Sequence, residues 1–291
     1  MINFNTIQEL IALANEKEVP IHELVIAREM HTSQRSREAL FDAMQKNWQV
    51  MQEAIQRGIT NEEKSISGLT GGDARKIYAH RSRSYAGTAA MEAAAYAVGM
   101  NEINAVMGKI VACPTAGSCG IVPAVLYAAA VSGKSTDDEI VRALFTAAGI
   151  GMVIEQNASI AGAAGGCQAE CGSAAAMAAG ALVELAGGTP DLVGQGVALA
   201  LKNLLGLVCD PVAGLVEVPC VKRNGFAAVH AMVAADMALA GVRSVIPVDE
   251  VIDSMNRIGR ALPRSLRETS EGGLAVTPTA RQVEERLYGK K

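Results

Sequence analysis

Aromatic side chains are scarce in this chain: one tryptophan, five tyrosines and four phenylalanines make up 3% of its 291 residues. Half of the residues are nonetheless apolar, and 29 are glycine. A core of alanine, leucine, valine, isoleucine and methionine lets helices approach one another closely, because little side-chain volume separates their backbones. No alternating valine-rich run is long enough to indicate a β-sheet. We therefore predict an all-α fold with a compact, alanine- and glycine-rich body.

An excess of basic charge is also absent, since 26 Lys and Arg residues face 30 Asp and Glu residues and the net charge is −4. This balance offers no electrostatic footprint for nucleic acid or an anionic membrane surface. The N-terminal segment, MINFNTIQELIALANEKE, lacks the positive region and apolar stretch of a signal peptide. Six cysteines without such a signal favour the reducing cytoplasm, and hence thiols, metal ligands or cluster ligands rather than disulfides.

The chain has one long uncharged stretch, residues 110–133. By length alone it could span a bilayer. However, Pro114, Gly117, Gly120 and Pro123 interrupt it, and irregular backbone exposed to lipid is costly. We predict a buried loop followed by a core helix, and no membrane span.

Short motifs for common cofactors are missing. No CxxC-type repeat marks a zinc or ferredoxin site. The absence of GxxxxGKS/T and GxGxxG disfavours nucleotide binding. No lysine lies in a recognisable pyridoxal phosphate motif beside a phosphate-binding loop.

Three cysteines, each within two residues of a glycine or proline, lie in segments where helices end and side chains from separate segments can meet. Cys167 follows Gly165-Gly166, Cys209 precedes Asp210-Pro211, and Cys220 follows Pro219. By spacing alone each is by default a small buried hydrophobic residue. On this ground the cysteines could be cluster ligands, ligands of a structural zinc ion, or regulatory thiols of a helical scaffold or redox sensor.

Helical periodicity covers most of the chain. Thr32 or Ser33 is the predicted cap of the third helix, and Ser135 or Thr136 caps a later one that has Asp137 and Asp138 in its first turn. We expect one domain over residues 1–291, with N-terminal helices in 1–58 and the main helical body in 59–291. The predicted helices are 6–15, 20–29, 33–57, 87–99, 101–112, 120–130, 135–155, 172–187, 189–206, 224–242 and 248–261.

Residues 64–76, KSISGLTGGDARK, form a polar stretch dense in serine and glycine. We predict a loop there. Gly71-Gly72 would permit backbone amides to approach an anion, although most glycine-rich loops are simply turns.

Four segments together resemble the iron–sulfur-dependent L-serine dehydratases of bacteria: GCQAECGSAAAMAAG, CDPVAGLVEVPC, CPTAGSCGIVPAV and RETSEGGLA. The resemblance runs from about Ser65 to the C-terminus. It is to the alpha, catalytic subunit of the two-chain form, because the companion domain of the single-chain form has no counterpart here. It implies conversion of L-serine to pyruvate and ammonium without pyridoxal phosphate, and a separate beta subunit as partner.

The resemblance also implies the cofactor and its ligands. The family motifs Gly-Cys-Gln, Cys-Asp-Pro-Val and Val-Pro-Cys match Cys167, Cys209 and Cys220. These would hold a 4Fe–4S cluster with one open iron, which acts as a Lewis acid rather than an electron carrier. The other three cysteines are expected to be packing residues, although Cys171 could compete as a ligand if helix has begun at Cys167.

Expected substrate contacts are Ser67, Thr70 and Gly71 of the glycine-rich loop, together with Asn157 and the Arg267-Glu268-Thr269 segment. The general base is not identified; His80 is the histidine nearest that loop, and the beta subunit could supply the base. Lys222-Arg223 would either pair with the charge of the cluster or form a solvated turn. The sequence ends LYGKK, without the terminal cysteine by which some single-chain members cap the open iron, so capping stays open.

Overall fold

The computed structural model describes residues 2–289 of the chain. Within that range it contains thirteen α-helices and no strand, so the all-α prediction is confirmed. The helices are α1 Ile7–Lys17, α2 Ile21–Ser33, α3 Arg37–Gly58, α4 Asp73–His80, α5 Thr88–Ala105, α6 Ile121–Val131, α7 Asp137–Asn157, α8 Gly162–Gly165, α9 Ser173–Leu185, α10 Pro190–Lys202, α11 Cys220–Leu239, α12 Val248–Ala261 and α13 Pro278–Tyr288.

The predicted start of the third helix is wrong. Ser36 caps α3 by accepting a hydrogen bond from the Ala39 N–H. Thr32 and Ser33 instead lie in the last turn of α2, where their hydroxyls donate to backbone carbonyls one turn earlier. The cap of α7 is Thr136, one of the two predicted residues, and its hydroxyl accepts from the Glu139 N–H.

The two helices predicted over 87–99 and 101–112 are a single helix, α5, which ends at Ala105. Met107 takes a positive φ of 61°, and the N–H of Gly108 returns to the carbonyl of Ile103, so residues 108–112 leave the helix. The last helix, α13, was not predicted. In addition, α4 begins inside the stretch predicted to be a loop, and α11 begins at Cys220 rather than at 224.

Helix α9 lies at the centre of the core, in contact with α6, α7, α10 and α11. Every residue from Ser173 to Ala181 is buried. Small residues permit this crowding: a Cβ added at Gly180 would lie 2.4 Å from the Ile150 side chain. Similarly, α3 and α5 meet at Gly58 and Gly99, where a Cβ added at Gly58 would contact the facing backbone at 2.4 Å. The low aromatic content is thus matched by close helix contacts.

Within the described part of the chain, none of the helices combines the length and the hydropathy needed to cross a bilayer. The uncharged stretch 110–133 contains irregular backbone followed by α6. The first seven residues of α6, Ile121–Tyr127, are buried, as expected for a core helix.

Candidate functional site

Cys167 lies in a sharp connection between α8 and α9. Gly166 before it has a φ of +75°, and a Cβ there would lie 2.9 Å from the Leu207 carbonyl oxygen, so glycine is needed on both conformational and steric grounds. A single π-helical turn, Gln168–Gly172, then leads into α9. Such turns occur frequently at functional sites.

The Gln168 side chain ties this connection to the segment that carries Cys209. Its Oε1 accepts from the Gly206 N–H at 2.9 Å, and its Nε2 donates to the Met255 carbonyl at 2.9 Å. The backbone N–H of Gln168 also donates to the Leu207 carbonyl. Because Gln168 is fully buried, these bonds fix two distant segments in one place.

Cys209 pairs through its backbone with the Arg267-Glu268-Thr269 segment. Its N–H donates to the Leu266 carbonyl at 2.9 Å, and its carbonyl accepts from the Glu268 N–H at 2.8 Å. The segment that was predicted to contact the substrate therefore lies beside Cys209; a contact with substrate stays a prediction. Glu268 has a positive φ of 64° at this point.

Cys220 is the first residue of α11, and Asn224 connects it to the CPTAGSCG segment. Asn224 is fully buried and donates to the carbonyls of Cys220 (3.0 Å) and Gly117 (2.8 Å). Its Oδ1 accepts from the Gly120 N–H at 3.0 Å. Three segments far apart in sequence thus converge around the cysteines.

The side chains of Cys167, Cys209 and Cys220 are 2%, 3% and 7% exposed. Burial raises the pKa of Cys209 well above its ordinary value and that of Cys220 to about 12, and the Cys167 sulfur raises both further. The pKa of Cys167 is instead lowered, first by its hydrogen bond with Cys171 and then by the Arg223 cation. The three sulfurs therefore interact electrostatically within one buried region.

Cys171 contacts the predicted ligand Cys167 directly, so it is more than a packing residue. Its Sγ lies 3.3 Å from Cys167 Sγ, because the two residues share one face of the helical turn. The contact raises the pKa of the Cys171 thiol well above its ordinary value. Cys113 and Cys119 are buried thiols outside this contact, and Cys119 accepts a hydrogen bond from Asn101.

Glu170 and Glu268 add two carboxylates beside Cys209. Ligand atoms of these three residues all lie within 4.8 Å of one another. Thr115 Oγ1 donates to Glu170 Oε1 at 2.9 Å. Burial raises the pKa of Glu170, and the nearby Glu268 charge raises it too, whereas the bonds from Thr115 and Cys209 lower it. This set of thiols and carboxylates fits a metal cofactor by the chemistry of its donors.

Lys222 and Arg223 have different surroundings. Lys222 is part of a partly exposed ion pair with Asp73 at 2.8 Å. Arg223 is largely buried and donates to the Val208 carbonyl and to Asp210 Oδ1, and its cation lies near enough to Cys167 to lower the pKa of that thiol. Arg223 is therefore not part of a solvated turn, whereas Lys222 is partly exposed; pairing of either residue with a cluster stays a prediction.

The glycine-rich loop is anchored by two buried glutamates. Ser65 and Ser67 both donate to Glu217 Oε2 at 2.5 Å, and Glu217 lies three residues before Cys220. Glu102 accepts from the Thr70 hydroxyl and from the N–H groups of Gly71, Asp73 and Ala74. The loop is thereby held against the segment that leads to Cys220.

Asn157 ends α7, and its side-chain amide donates to the carbonyls of Asn5 and Val153. The next two residues, Ala158 and Ser159, line a cavity of about 260 Å³ together with Gly165 and Gln168.

Among the histidines, His80 is exposed, whereas His230 is hydrogen-bonded to the Ala200 carbonyl and His22 to Glu184.

Comparison with known proteins decides the family. A family profile described as "Serine dehydratase alpha chain" matches residues 16–275. The chain is 52% identical to the "Probable L-serine dehydratase, alpha chain" of Bacillus subtilis over 98% of this chain and 96% of that protein. It is 42% identical to the "L-serine dehydratase, alpha chain" of Peptoniphilus asaccharolyticus over 96% of each chain. The chain belongs to the serine dehydratase alpha chain family.

Another relative is longer. The chain is 42% identical to the "L-serine dehydratase" of Streptomyces coelicolor over 94% of this chain but only 61% of that protein. The family match also begins well before Ser65, so it includes part of the N-terminal helices as well as the body.

Three buried or partly buried carboxylates of this serine dehydratase alpha chain were not predicted from sequence: Glu102, Glu170 and Glu217. Two of them lie inside the segments that carry the family resemblance, since Glu170 stands between Cys167 and Cys171 and Glu217 precedes Pro219. No residue type or spacing marked them in the sequence, because an acidic residue in a helical sequence is normally solvated.

Proposed function

We propose that this chain is the alpha subunit of an L-serine dehydratase, an ammonia-lyase that converts L-serine to pyruvate and ammonium. The proposal is supported by family membership over nearly the whole chain and by the names of the relatives. Elimination of water leaves aminoacrylate, which decays to pyruvate and ammonium in water without further catalysis. The term "alpha chain" in those names supports a separate beta subunit as partner.

The cofactor in this proposal is a 4Fe–4S cluster bound by Cys167, Cys209 and Cys220. The single observation that carries it is that three buried cysteines lie in segments that are tied together. Gln168 joins the turn of Cys167 to the segment of Cys209, and Asn224 joins Cys220 to Gly117, which packs against Glu170. The cluster, when bound through three thiolates, supplies an iron with an open position that acts as a Lewis acid on the substrate oxygens.

The chain's own residues would bind and orient the substrate and shield the site. The sulfurs are buried from solvent, and the Arg223 cation near Cys167 offsets thiolate charge. Ser67, Thr70, Gly71 and Asn157 remain our candidates for contacts to the substrate. The hydroxyls of Ser67 and Thr70 donate to glutamates, so they would act chiefly by shaping the loop. The general base stays unassigned, with the beta subunit as its proposed source.

We further propose that residues 1–291 form one domain. One apolar cluster is consistent with this proposal, since it includes buried residues from Phe4 in the N-terminal segment to Met255 in α12.

Iron and sulfide analysis of anaerobically purified protein is the first test. We expect brown protein with broad absorbance at about 400 nm and stoichiometric iron and sulfide. Stoichiometric zinc with no visible band would indicate a structural zinc site. A colourless protein without metal, in which all cysteines react with a thiol reagent, would indicate a scaffold or redox sensor.

Single serine substitutions then assign the ligands. Cys167→Ser, Cys209→Ser and Cys220→Ser should each abolish the colour and pyruvate formation from L-serine. Cys113→Ser is the matched control, because Cys113 is also a buried thiol but lies outside the three-cysteine region, and it should retain both. Retention of the cluster by Cys209→Ser and its loss from Cys113→Ser would show that the assignment is wrong.

A further inference from the structure

Glu170 is a carboxylate whose position is fixed on several sides. Thr115 donates to its Oε1, and Cys209 Sγ lies 3.9 Å from its Oε2. A Cβ on Gly162 would lie 2.8 Å from Oε2, and a Cβ on Gly117 would lie 3.1 Å from Oε1. Both glycines therefore pack directly against the carboxylate, and a larger residue at either position would displace it.

Glu170 has no cationic partner among the residues that the structure describes. Among residues 2–289, no lysine, arginine or histidine forms an ion pair with Glu170 or with the neighbouring Glu268. Arg223, which is close to Cys167, is paired with Asp210 instead. A partly buried carboxylate without a cation is unfavourable, and a positively charged ligand would relieve that cost.

The substrate of the proposed reaction carries such a charge. L-Serine has a carboxylate, a β-hydroxyl and an α-ammonium group, and the first two are oxygen groups suited to an iron ion. The ammonium has three N–H donors and a positive charge, and it requires acceptors on the protein. Glu170 offers Oε2 beside Cys209, the point where the proposed cofactor ligands and the Glu268 segment meet.

We propose that Glu170 binds the α-ammonium group of the substrate, with Glu268 as a second carboxylate beside it, so that the site selects amino acids over the corresponding hydroxy acids. Glu170 is thus a binding residue of the site, and Thr115 positions it. This inference depends on the proposed serine dehydratase function. It concerns charge recognition and assigns no proton transfer to Glu170.

The test compares two ligands that differ only in the ammonium group. L-Serine and 3-hydroxypropanoate share the carboxylate and the hydroxyl, but 3-hydroxypropanoate has hydrogen in place of the ammonium. In the complete two-chain enzyme, kcat and KM are measured for L-serine and an inhibition constant for 3-hydroxypropanoate. Where a variant does not turn over, calorimetry measures the dissociation constant of L-serine directly.

Glu170→Gln should weaken L-serine binding by about 10- to 100-fold, the usual effect of losing a hydrogen bond between charged groups. Binding of 3-hydroxypropanoate should change by less than about threefold, and iron and sulfide contents should stay at the wild-type level. Thr115→Val retains the charge and only loosens its position, so it should give a smaller loss, again confined to L-serine. Glu155→Gln, on the exposed face of α7, is the matched control and should change neither ligand.

Several results would overturn the inference. Equal losses for both ligands would mean that Glu170 only maintains the structure of the site. Loss of iron would make it a cofactor ligand, and a fall in kcat with unchanged L-serine affinity would make it a proton-transfer group. If Glu170→Gln does not fold, an unchanged ligand preference in Thr115→Val refutes the inference. Failure of the wild-type enzyme to form pyruvate from L-serine would instead refute the proposed function itself.

Discussion

The ion pair between Arg223 and Asp210 should be among the most sensitive features of the fold near the cysteines. Arg223 Nη2 lies 3.0 Å from Asp210 Oδ1, and Nη1 donates to the Val208 carbonyl at 2.8 Å. The two side chains are 17% and 4% exposed. Asp210 also accepts from the Leu274 N–H, so the pair joins the segment of Cys209 to the C-terminal part of the chain.

The expected cost of breaking the pair follows from this burial. Arg223→Met leaves the Asp210 carboxylate buried without its cation, which typically costs about 3–5 kcal/mol. Asp210→Asn keeps an acceptor for Leu274 and leaves a more exposed arginine, so a smaller loss of about 1–3 kcal/mol is expected. Once one partner is gone, removing the other should cost little. The double variant should therefore be more stable than the sum of the single losses implies, with a coupling of about 1–3 kcal/mol.

Urea unfolding of the cluster-free protein under reducing conditions measures these free energies. The four proteins of the cycle are the wild type, Arg223→Met, Asp210→Asn and the double variant. The exposed pair Arg257–Asp253 is the matched control, because its side chains are 70% and 58% exposed and such pairs contribute less than about 1 kcal/mol.

Strict additivity would refute the reasoning. If the two single losses sum to that of the double variant within about 0.5 kcal/mol, the pair does not act as a unit in the folded protein. A coupling no larger than that of the Arg257–Asp253 control would contradict it equally, because burial would then add nothing to the interaction.

Three further predictions concern the glycine-rich loop, the N-terminal helices and the contact between α3 and α5. Glu102→Gln brings an NH2 group against backbone donors, so we expect a loss of about 1–3 kcal/mol and faster amide exchange at residues 70–74. The hydrogen bond from Arg37 holds the pKa of Glu23 below its usual value. The stability that this bond contributes is therefore present above the ordinary carboxyl pKa and is lost as the pH falls through the lowered pKa. Arg37→Met should make the urea midpoint depend less steeply on pH in that range. Gly58→Ala should lower stability by about 1–3 kcal/mol in thermal melts, since its Cβ would lie 2.4 Å from the Gly99 carbonyl carbon.

Most helices could be predicted because their signals are local. Apolar spacing and a capping residue such as Thr136 are read from a few neighbouring positions. The failures arose where two local signals competed. Ser33 and Ser36 are equally good caps by residue type, and the choice between them depends on where α2 ends, which the left-handed conformation of Gln34 determines. Similarly, Gly99 does not end a helix; it packs against Gly58 from within α5.

The site was only partly predictable, for a different reason. Cysteines at glycine and proline boundaries can be recognised by residue type and by resemblance to a family. The buried carboxylates cannot be recognised in this way, because an acidic residue in a helical sequence is normally solvated. Glu217 is buried because Ser65 and Ser67, about 150 residues away, donate to it. Glu170 depends in the same way on Thr115 of another segment. Such pairings are properties of the folded chain.

Two buried side-chain amides explain why these distant segments can be placed so closely. Hydrophobic contacts are not directional, so a core of alanine and valine alone would tolerate small shifts of one helix against another. Gln168 and Asn224 each donate and accept across segments, next to Cys167 and Cys220 respectively. A shift that breaks the hydrogen bonds of either amide would leave buried polar groups unsatisfied, and each such group costs about 1–3 kcal/mol of stability. The relative positions of the cysteines are therefore set by residues that would not themselves bind the cofactor.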